Sequence, residues 1–345
     1  MKIAFHSNAI DRGGCSVAVY DYAYYNRELL KNESIVFYDK NNTDNYFLAH
    51  EKFNKEFEVY GYNDWSEVDS MIKEHNIDVL YTIKSGNKDG KISNKCKTVV
   101  HAVFQDYEPH GDVYAYISEW LSSIMGDKKS PFVPFMIDLP KPNKNMREDW
   151  GIPSDAVVFG RHGTNNQFNI SAVQNVVELV AKENESIYFV FLNTDKFCEP
   201  RKNIIFLEPI CDVQEKSNFI NSCDAMLHAR TNGESFGSAI AEFLFHNKPV
   251  ISWRGGNDQN HISMLGDAGL FYSSINDNHT SSIGLDYDMS AIKKESYNQE
   301  LYEYLVNFKH LKTDFDYSKL VFKYNPKNVI EKFKEVFLDS IDKER

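Results

Sequence analysis

Residues 224–253, which read DAMLHARTNGESFGSAIAEFLFHNKPVISW, decide the fold. The apolar run 224–229 is typical of a buried strand, and the polar loop after it leads into a helical pattern that begins near residue 236. A second apolar run, 248–253, follows the helix. Strand, helix and strand in this order predict a βαβ unit, whose two strands are parallel neighbours in a sheet.

The same alternation of strand and helix patterns extends outward along the chain. Further strands are predicted at 2–7, 34–38, 78–83, 98–104, 113–117, 156–160, 187–192 and 204–207, and further helices at 170–184 and 212–221. Residues 130–142 hold four of the ten prolines and therefore predict a stiff connector between two halves. We predict an α/β protein with two Rossmann-like doubly wound domains that face a central cleft. Their predicted bounds are 1–140 and 141–325, followed by a closing helix at 326–345.

Composition excludes several classes of protein. The chain has 345 residues with 38 Lys and Arg against 50 Asp and Glu, a net charge of −12 that disfavours a nucleic-acid binder. Its five cysteines are scattered without a CxxC pair, which predicts neither a disulfide framework nor a zinc site. No apolar run reaches the roughly 18 residues needed to span a bilayer. The segment 1–14 does not resemble a signal peptide, so a cytoplasmic location is expected.

The start of the helix near residue 236 carries the clearest chemical signal. The amides of Gly237, Ser238 and Ala239 would be free at the helix N-terminus, which is a suitable place for a phosphate. Glu234 lies just before the helix and Glu242 within it. Eight residues turn a helix through roughly 800°, close to two full turns, so the two carboxylates would share a side and a ligand. They could accept hydrogen bonds from sugar hydroxyls; alternatively, one caps the helix and the other is solvated.

Glu234 and Glu242, with Ser-Phe-Gly-Ser after the first and Lys-Pro-Val-Ile closing the next strand, resemble the acidic motif of family 4 glycosyltransferases. These are retaining enzymes with the GT-B fold. Other segments resemble that family in the correct order, namely 2–14, 113–121, 132–139, 159–163 and 255–272. The resemblance extends from the N-terminus to about position 275, and it implies a GT-B fold here.

The resemblance also implies roles for individual residues. Glu234 would bind hydroxyls of the donor sugar, Glu242 would bind the ribose, and Arg161 would neutralise the leaving diphosphate through a forked contact. The other implied donor-binding residues belong to the first glycine loop and to the start of the helix: Gly13, Gly14, Ser235, Phe236, Gly237 and Ser238.

A histidine completes the implied catalytic set, and one position departs from the family pattern. His101 ends its strand and would face the cleft beside the donor sugar, acting with Glu234 and Arg161, while His110 is a second possibility. Without the resemblance, a histidine at a strand end is more often a structural residue. Gln167 stands where the family commonly has a lysine that contacts the diphosphate. The cations that could replace that lysine are Arg230, Lys248 and Arg254.

The implied reaction is the transfer of a sugar from a nucleotide-diphosphate sugar to a hydroxyl of a glycan, lipid or small molecule, with retention of configuration. No DxD-type motif stands where this fold would use it, so no metal is expected, and the nucleotide sugar is a substrate rather than a cofactor. The alternatives are a GT-B-like nucleotide-sugar epimerase and a catalytically idle nucleotide-sugar-binding protein. A dehydrogenase is disfavoured because the first loop lacks G-x-G-x-x-G.

A run of lysines lies between two predicted strands of the first half, at positions 84, 88, 91, 95 and 97. Such a run is usually a solvated loop. It could instead bind an anionic acceptor or a membrane surface, which leaves membrane association open. No sequence pattern indicates an oligomeric state.

Overall fold

A computed structural model of the chain describes residues 1–126, 129–273, 298–311 and 314–339. Its contacts divide the chain into two units. Unit 1 consists of Met1–Asp138 and Lys323–Arg345, and unit 2 consists of Leu139–Phe322. Residues 340–345 of the predicted closing helix lie outside the described residues. Within the described ranges, no helix is both long and apolar enough to cross a membrane.

Unit 1 is built on a six-stranded parallel sheet in the order β3-β2-β1-β4-β5-β6. The strands are β1 (Lys2–Ser7), β2 (Glu33–Asp39), β3 (Glu58–Tyr62), β4 (Val79–Lys84), β5 (Lys97–Ala102) and β6 (Val113–Tyr116). The helices between them are α1 (Gly14–Glu28), α2 (Phe47–Glu56), α3 (Val68–Glu74) and α4 (Glu119–Ile124). As in other parallel sheets, the central strands are buried and rich in apolar residues.

Unit 2 repeats this architecture, with a parallel sheet in the order β14-β12-β10-β7-β8-β9 and a separate two-stranded pair, β11 and β13. Its strands are β7 (Val157–Arg161), β8 (Ile187–Leu192), β9 (Ile204–Leu207), β10 (Ala225–His228), β11 (Gly233–Glu234), β12 (Val250–Trp253), β13 (Asp258–Gln259) and β14 (Leu270–Tyr272). Its helices are α5 (Ser171–Glu183), α6 (Val213–Ser222), α7 (Ser238–Phe245), α8 (Asn260–Leu265), α9 (Gln299–Val306) and α10 (Phe308–Leu311). Counted within each main sheet, both strand orders are 3-2-1-4-5-6, that of doubly wound folds. The predicted α/β fold is therefore confirmed.

The chain returns to unit 1 after residue 322. Asn325 caps helix α11 (Pro326–Phe333) by accepting from the amide of Asn328, and a wider π-helical turn, Lys334–Asp339, follows. Phe333 is fully buried, and its ring lies 5.1 Å from the ring of Tyr22 in α1, measured between centroids. The C-terminal segment therefore supplies part of the hydrophobic core of unit 1.

His101 lies inside that core and has no exposed surface. Its Nδ1 lies 2.7 Å from the hydroxyl of Tyr81, and its Nε2 donates to the carbonyl of Val133 at 2.8 Å. Both ring nitrogens thus have partners within unit 1, and Phe337 packs against the ring. This burial contradicts the prediction that His101 faces a cleft. His101 is instead a structural histidine, because a strand end that is covered by a helix can be as inaccessible to solvent as the centre of the strand.

The buried His101 should make unit 1 sensitive to acid. Burial lowers the pKa of His101 to about 4, although the carbonyls of Val133 and Tyr116 oppose the shift. The unfolded chain has an ordinary histidine pKa near 6.5 and takes up the proton first, so stability is lost as the pH falls from 6.5 to 4. Thermal melts across this range should show a shallower decline for His101→Gln than for the wild type. Parallel slopes would contradict the buried neutral ring.

Candidate functional site

The candidate site lies at the carboxyl ends of the strands of unit 2. β7 and β10 are neighbours in the sheet, although the chain runs from β7 outward to β8 and β9 before it returns. Such a switch point is where open α/β sheets bind ligands, because the two loops diverge and leave a crevice. Arg161 ends β7 and His228 ends β10, so the topology brings these two side chains to the same place.

A short strand pair fixes the loop after β10. Gly233 and Glu234 of β11 pair with Asp258 and Gln259 of β13. Gly233 has φ 72°, and a Cβ there would lie 2.0 Å from the carbonyl oxygen of Asp258. Only glycine combines a positive φ with such a close approach of two backbones. The side-chain amide of Asn232 also donates to the carboxylate of Asp258 at 3.0 Å. This contact and the strand pairing together fix the loop at Glu234.

Both carboxylate oxygens of Glu234 have partners. His228 Nε2 lies 3.2 Å from Oε1, and Arg230 Nη1 donates to Oε2 at 2.8 Å. Ser252 Oγ lies 2.9 Å from the other ring nitrogen of His228. This arrangement fits a tautomer in which the serine donates to Nδ1 and Nε2–H donates to Glu234. Burial opposes ionisation of Glu234, but His228 and Arg230 outweigh it and lower its pKa. Glu234 is therefore a charged and oriented acceptor.

Helix α7 begins shortly after Glu234. Gly237 is its N-cap with φ 92°, and no side chain of the described residues caps it. The first intrahelical bond runs from the amide of Ala241 to the carbonyl of Gly237 at 3.0 Å, so the preceding helical amides have no partner within the helix. Asn260 donates to the carbonyl of Phe236 at 2.6 Å and holds the approach to the helix. Ser235 and Ser238 are both partly exposed. This N-terminus suits an anion.

Arg161 is 5% exposed, and its own loops hold its guanidinium. Nη1 donates to the carbonyl of Asn193 at 3.1 Å and to the hydroxyl of Thr194 at 2.7 Å, and Nη2 donates to the carbonyl of Thr164 at 2.6 Å. Burial lowers the pKa of Arg161 to about 10, while the charge of Glu234 opposes the shift. The group therefore stays cationic at neutral pH and is fixed in position. These contacts use three of its five donors.

Glu242 is almost buried and lies between two basic side chains. Lys216 Nζ donates to Oε1, and His162 Nε2 lies 3.1 Å from Oε2. Burial alone would raise the pKa of Glu242, but Lys216 and His162 together lower it to about 2. Because both oxygens contact protein side chains, Glu242 anchors α7 to α6. Its implied contact with a ribose stays a prediction.

The charge of Glu242 sets an acid limit for unit 2. The pKa of Glu242 is about 2 in the fold and near 4.5 in the unfolded chain, so its contribution is complete above pH 4.5 and is lost as the pH falls to 2. A shift of this size corresponds to about 3 kcal/mol. Glu242→Gln should flatten the decline in stability over this range, measured by thermal melts. An equally steep decline in wild type and variant would show that other carboxylates dominate.

The family commonly has a lysine at the position of Gln167, and the three cations that could replace it have different partners in the structure. Gln167 lies in a short 3₁₀ turn, Asn165–Gln167, and its amide donates to the carbonyl of Thr164 at 3.2 Å. Lys248 donates to the carbonyl of Asn221, and the guanidinium of Arg254 stacks over a phenylalanine ring. Arg230 contacts the carboxylate of Glu234.

The remaining predicted site residues belong to unit 1. Gly13 is the N-cap of α1, its amide donates to the carboxylate of Asp11 at 2.8 Å, and Gly14 is the first helical residue. His110 Nδ1 lies 2.7 Å from the carbonyl of Glu108. These positions fit a turn into a helix and a surface loop. Their contacts with a donor or an acceptor stay predictions.

Three residues of the site were not predicted. His228 ends β10 directly before the acidic loop, and His162 follows Arg161, so their places at strand ends were a usable signal. Lys216 gave no such signal, because its partner Glu242 lies 26 residues away on another helix. Pairing across that separation follows from the tertiary fold and not from a local pattern.

The sequence matches no family model and no curated protein. Solved structures match its fold over 99% of the chain. The Anabaena protein Alr3699/HepE, in complex with UDP-glucose, matches with a TM-score of 0.71 at 14% identity, over 100% of its own chain. The chain has the GT-B fold.

Two further solved structures match over nearly the whole chain. Sucrose-phosphate synthase from Thermosynechococcus elongatus matches with a TM-score of 0.69 at 10% identity, over 99% of this chain and 100% of its own. A glycosyltransferase from Rickettsia africae matches with a TM-score of 0.60 at 13% identity, over 99% and 97%. At such low identity the likeness concerns the GT-B fold alone, and any activity must be argued from the site.

Proposed function

We propose that this chain is a retaining glycosyltransferase that moves a sugar from a nucleotide-diphosphate sugar to an acceptor hydroxyl. The observation that carries the proposal is the Glu234 carboxylate, fixed by His228 and Arg230 just before an uncapped helix N-terminus. In the proposal, this carboxylate accepts hydrogen bonds from a sugar, and the helix N-terminus binds a phosphate. A UDP-glucose complex with the same fold supports UDP as the first nucleotide to test.

The residues have distinct roles in the proposed reaction. The acceptor oxygen bonds to the anomeric carbon as the bond from that carbon to the diphosphate oxygen breaks, and the departing diphosphate takes the acceptor proton. The amides at the start of α7 and the guanidinium of Arg161 face the charge that develops on the diphosphate. Fixed dipoles and charges of this kind commonly form the largest catalytic contribution. Glu234 accepts hydrogen bonds from the sugar and orients it.

Arg230 supplies the positive charge that Gln167 lacks. The guanidinium of Arg230 donates to Glu234 at 2.8 Å, which orients it. Its positive charge also contributes to lowering the pKa of Arg161. A second cation beside the diphosphate makes a divalent metal unnecessary for the proposed reaction. Chelation of metals with EDTA should therefore leave donor binding and transfer unchanged.

A nucleotide screen tests the proposed donor. We expect UDP or GDP, and the matching nucleotide sugar, to raise the melting temperature of the full chain in a concentration-dependent way, because a ligand that binds only the folded state stabilises it. Adenosine diphosphate serves as the control for nonspecific diphosphate binding. The absence of any shift with all nucleotides and nucleotide sugars would contradict a donor site in unit 2.

A catalytically idle binding protein is the second candidate, and Gln167 in place of a lysine favours it. Both candidates predict nucleotide binding, but only the enzyme converts the donor in the presence of an acceptor panel. Transfer with retained anomeric configuration supports the enzyme. Conversion of the nucleotide sugar without any acceptor would instead indicate an epimerase.

A further inference from the structure

Two loops of unit 2 are tied to each other beyond the ends of β7 and β8. We call them the double loop, residues 162–167 and 193–196. The side-chain amide of Asn193 donates to the carbonyl of Gly163 at 2.7 Å. The backbone amide of Asp195 donates to the carbonyl of Asn165 at 2.9 Å, and the side-chain amide of Asn165 donates to Asp195 Oδ1 at 2.7 Å. Three hydrogen bonds therefore join the loops where the sheet has ended.

Two positions of the double loop have backbone angles that most residues avoid. Asn193 has φ 50°, in the left-handed region that asparagine tolerates better than most residues. Gly163 has φ 145°, and a Cβ there would lie 3.3 Å from Nη2 of Arg161. Such conformations persist where the surrounding contacts determine them, and they cluster at functional sites. The double loop is therefore fixed in shape, with its glycine against the guanidinium of Arg161.

Both loops accept hydrogen bonds from that guanidinium. The acceptors are the carbonyls of Thr164 and Asn193 and the hydroxyl of Thr194. The Thr194 hydroxyl donates its own proton to the carbonyl of Leu192 at 3.2 Å, which leaves its lone pairs for Arg161. Asn193 thus acts twice, because its side chain ties the loops together and its carbonyl holds the guanidinium.

The three acceptors around Arg161 are all uncharged. Asp195 is the acidic side chain of the double loop, and its Oδ1 is bonded to Asn165. Glu234 acts on Arg161 through its charge, and no carboxylate of the described residues forms an ion pair with the guanidinium. A buried cation without a paired carboxylate costs free energy. An anionic ligand that supplies the missing negative charge would explain why the fold keeps this cation between two fixed loops.

We infer that Asn193 and Thr194 are positioning residues for Arg161, and that they make the site bind a nucleoside diphosphate more tightly than the monophosphate. The preference for the diphosphate rests on the proposed transferase function, whereas the positioning of Arg161 does not. A guanidinium that is already held in one orientation loses little conformational entropy when it binds a phosphate. Once released from the double loop, it must be ordered again before it contacts the terminal phosphate. The monophosphate lacks that phosphate, so its affinity should not depend on the double loop.

Two variants release the guanidinium by different routes. Asn193→Gly keeps the left-handed backbone, which glycine adopts readily, and removes the hydrogen bond to Gly163. Thr194→Val keeps the size of the side chain and removes the hydroxyl that accepts from Arg161. In calorimetry of the full chain, each variant should weaken UDP binding about three- to tenfold, the loss expected for one hydrogen bond, and leave UMP binding unchanged. If the nucleotide screen selects guanine, GDP and GMP are the probes.

Asn247→Gly is the matched control. Asn247 also has a left-handed backbone, with φ 56°, and its side chain makes one hydrogen bond, from the amide of Tyr317 at 2.8 Å. It lies beyond the C-terminal end of α7, whose other end carries the candidate site. Its substitution should leave both affinities at the wild-type values. In an Arg161→Lys background, Thr194→Val should not change the ratio of the two affinities further, because the two residues act together.

NMR of the arginine side chains tests the positioning without any nucleotide, and Arg161→Lys identifies the signal of Arg161. Rotation about its Cζ–Nη bonds should be slow in the wild type and in Asn247→Gly, and faster in Asn193→Gly and Thr194→Val. Equal rotation in all four proteins, or an equal loss of UDP and UMP affinity in the two variants, would overturn the inference. Faster rotation in the two variants of a chain that binds no nucleotide would refute the transferase and leave the positioning of Arg161 standing.

Discussion

Glu234→Gln should lower sugar transfer about 10- to 100-fold, the loss expected when a hydrogen bond to a charged group is removed. The substitution keeps the size of the side chain but removes its charge, and it turns one oxygen into an NH₂ group that faces His228 or Arg230. The loop then loses the charged, oriented oxygen that accepts hydrogen bonds from the donor sugar. A hydrogen bond to a charged group is worth about 1.5–3 kcal/mol. The measurement is transfer from the donor selected by the nucleotide screen, together with calorimetry of UDP and the nucleotide sugar.

The two ligands separate the role of Glu234 from a general loss of folding. Affinity for the nucleotide sugar should fall to that for UDP alone, whereas affinity for UDP should change little. Glu185→Gln is the matched control, since Glu185 is an exposed glutamate of the same unit. Unchanged transfer in Glu234→Gln would remove Glu234 from the mechanism.

Lys216→Met should destabilise unit 2 by about 3 kcal/mol, the lower end of the range found when one partner of a buried ion pair is removed, because a fifth of the Lys216 side chain is exposed. Glu242 would then keep its charge without the compensating ammonium. The double variant Lys216→Met/Glu242→Gln should recover much of the loss, because no buried charge remains. Urea unfolding at pH 7 measures both variants. A double variant no more stable than Lys216→Met would show that the ammonium acts through its packing and not through its charge.

Local sequence patterns were sufficient to predict most of the sheets. β1, β8 and β9 have the predicted bounds, because short apolar runs between turn residues leave little choice of register. Ser118 caps α4 by accepting from the amide of Leu121 at 3.2 Å, the role that a serine before a helix favours. β3 was missed, since its sequence EVYGY contains a glycine and a charge and is only half-buried. Propensity is weak for such an edge strand.

The buried face of α1 shows why helix orientation was harder to predict. The spacing of Val17, Tyr20 and Tyr24 is typical of one helix face, yet these side chains are only partly buried. Tyr22 and Ala23 are instead fully buried. Tyrosines therefore lie on both faces of α1, because a tyrosine can be buried when its hydroxyl finds a partner. Residue type alone does not determine the buried face.

The candidate site was predicted better in position than in contacts. The loop with Glu234 and the helix start at Gly237 follow from spacing and glycine chemistry. The partners of Glu242 and the burial of His101 depend on which elements pack together, and no sequence period encodes that. These contacts link residues 26 and 32 positions apart.

The return of the chain to unit 1 after residue 322 has a consequence for synthesis on the ribosome. Unit 2 is a continuous stretch and can fold as soon as it has emerged. The segment Met1–Asp138 cannot complete its core at that stage. Phe333 and Phe337 belong to this core and are translated only after the whole of unit 2. During that interval the segment Met1–Asp138 exposes the apolar surface that these rings later cover. We therefore expect this segment to depend on chaperones more than unit 2 does.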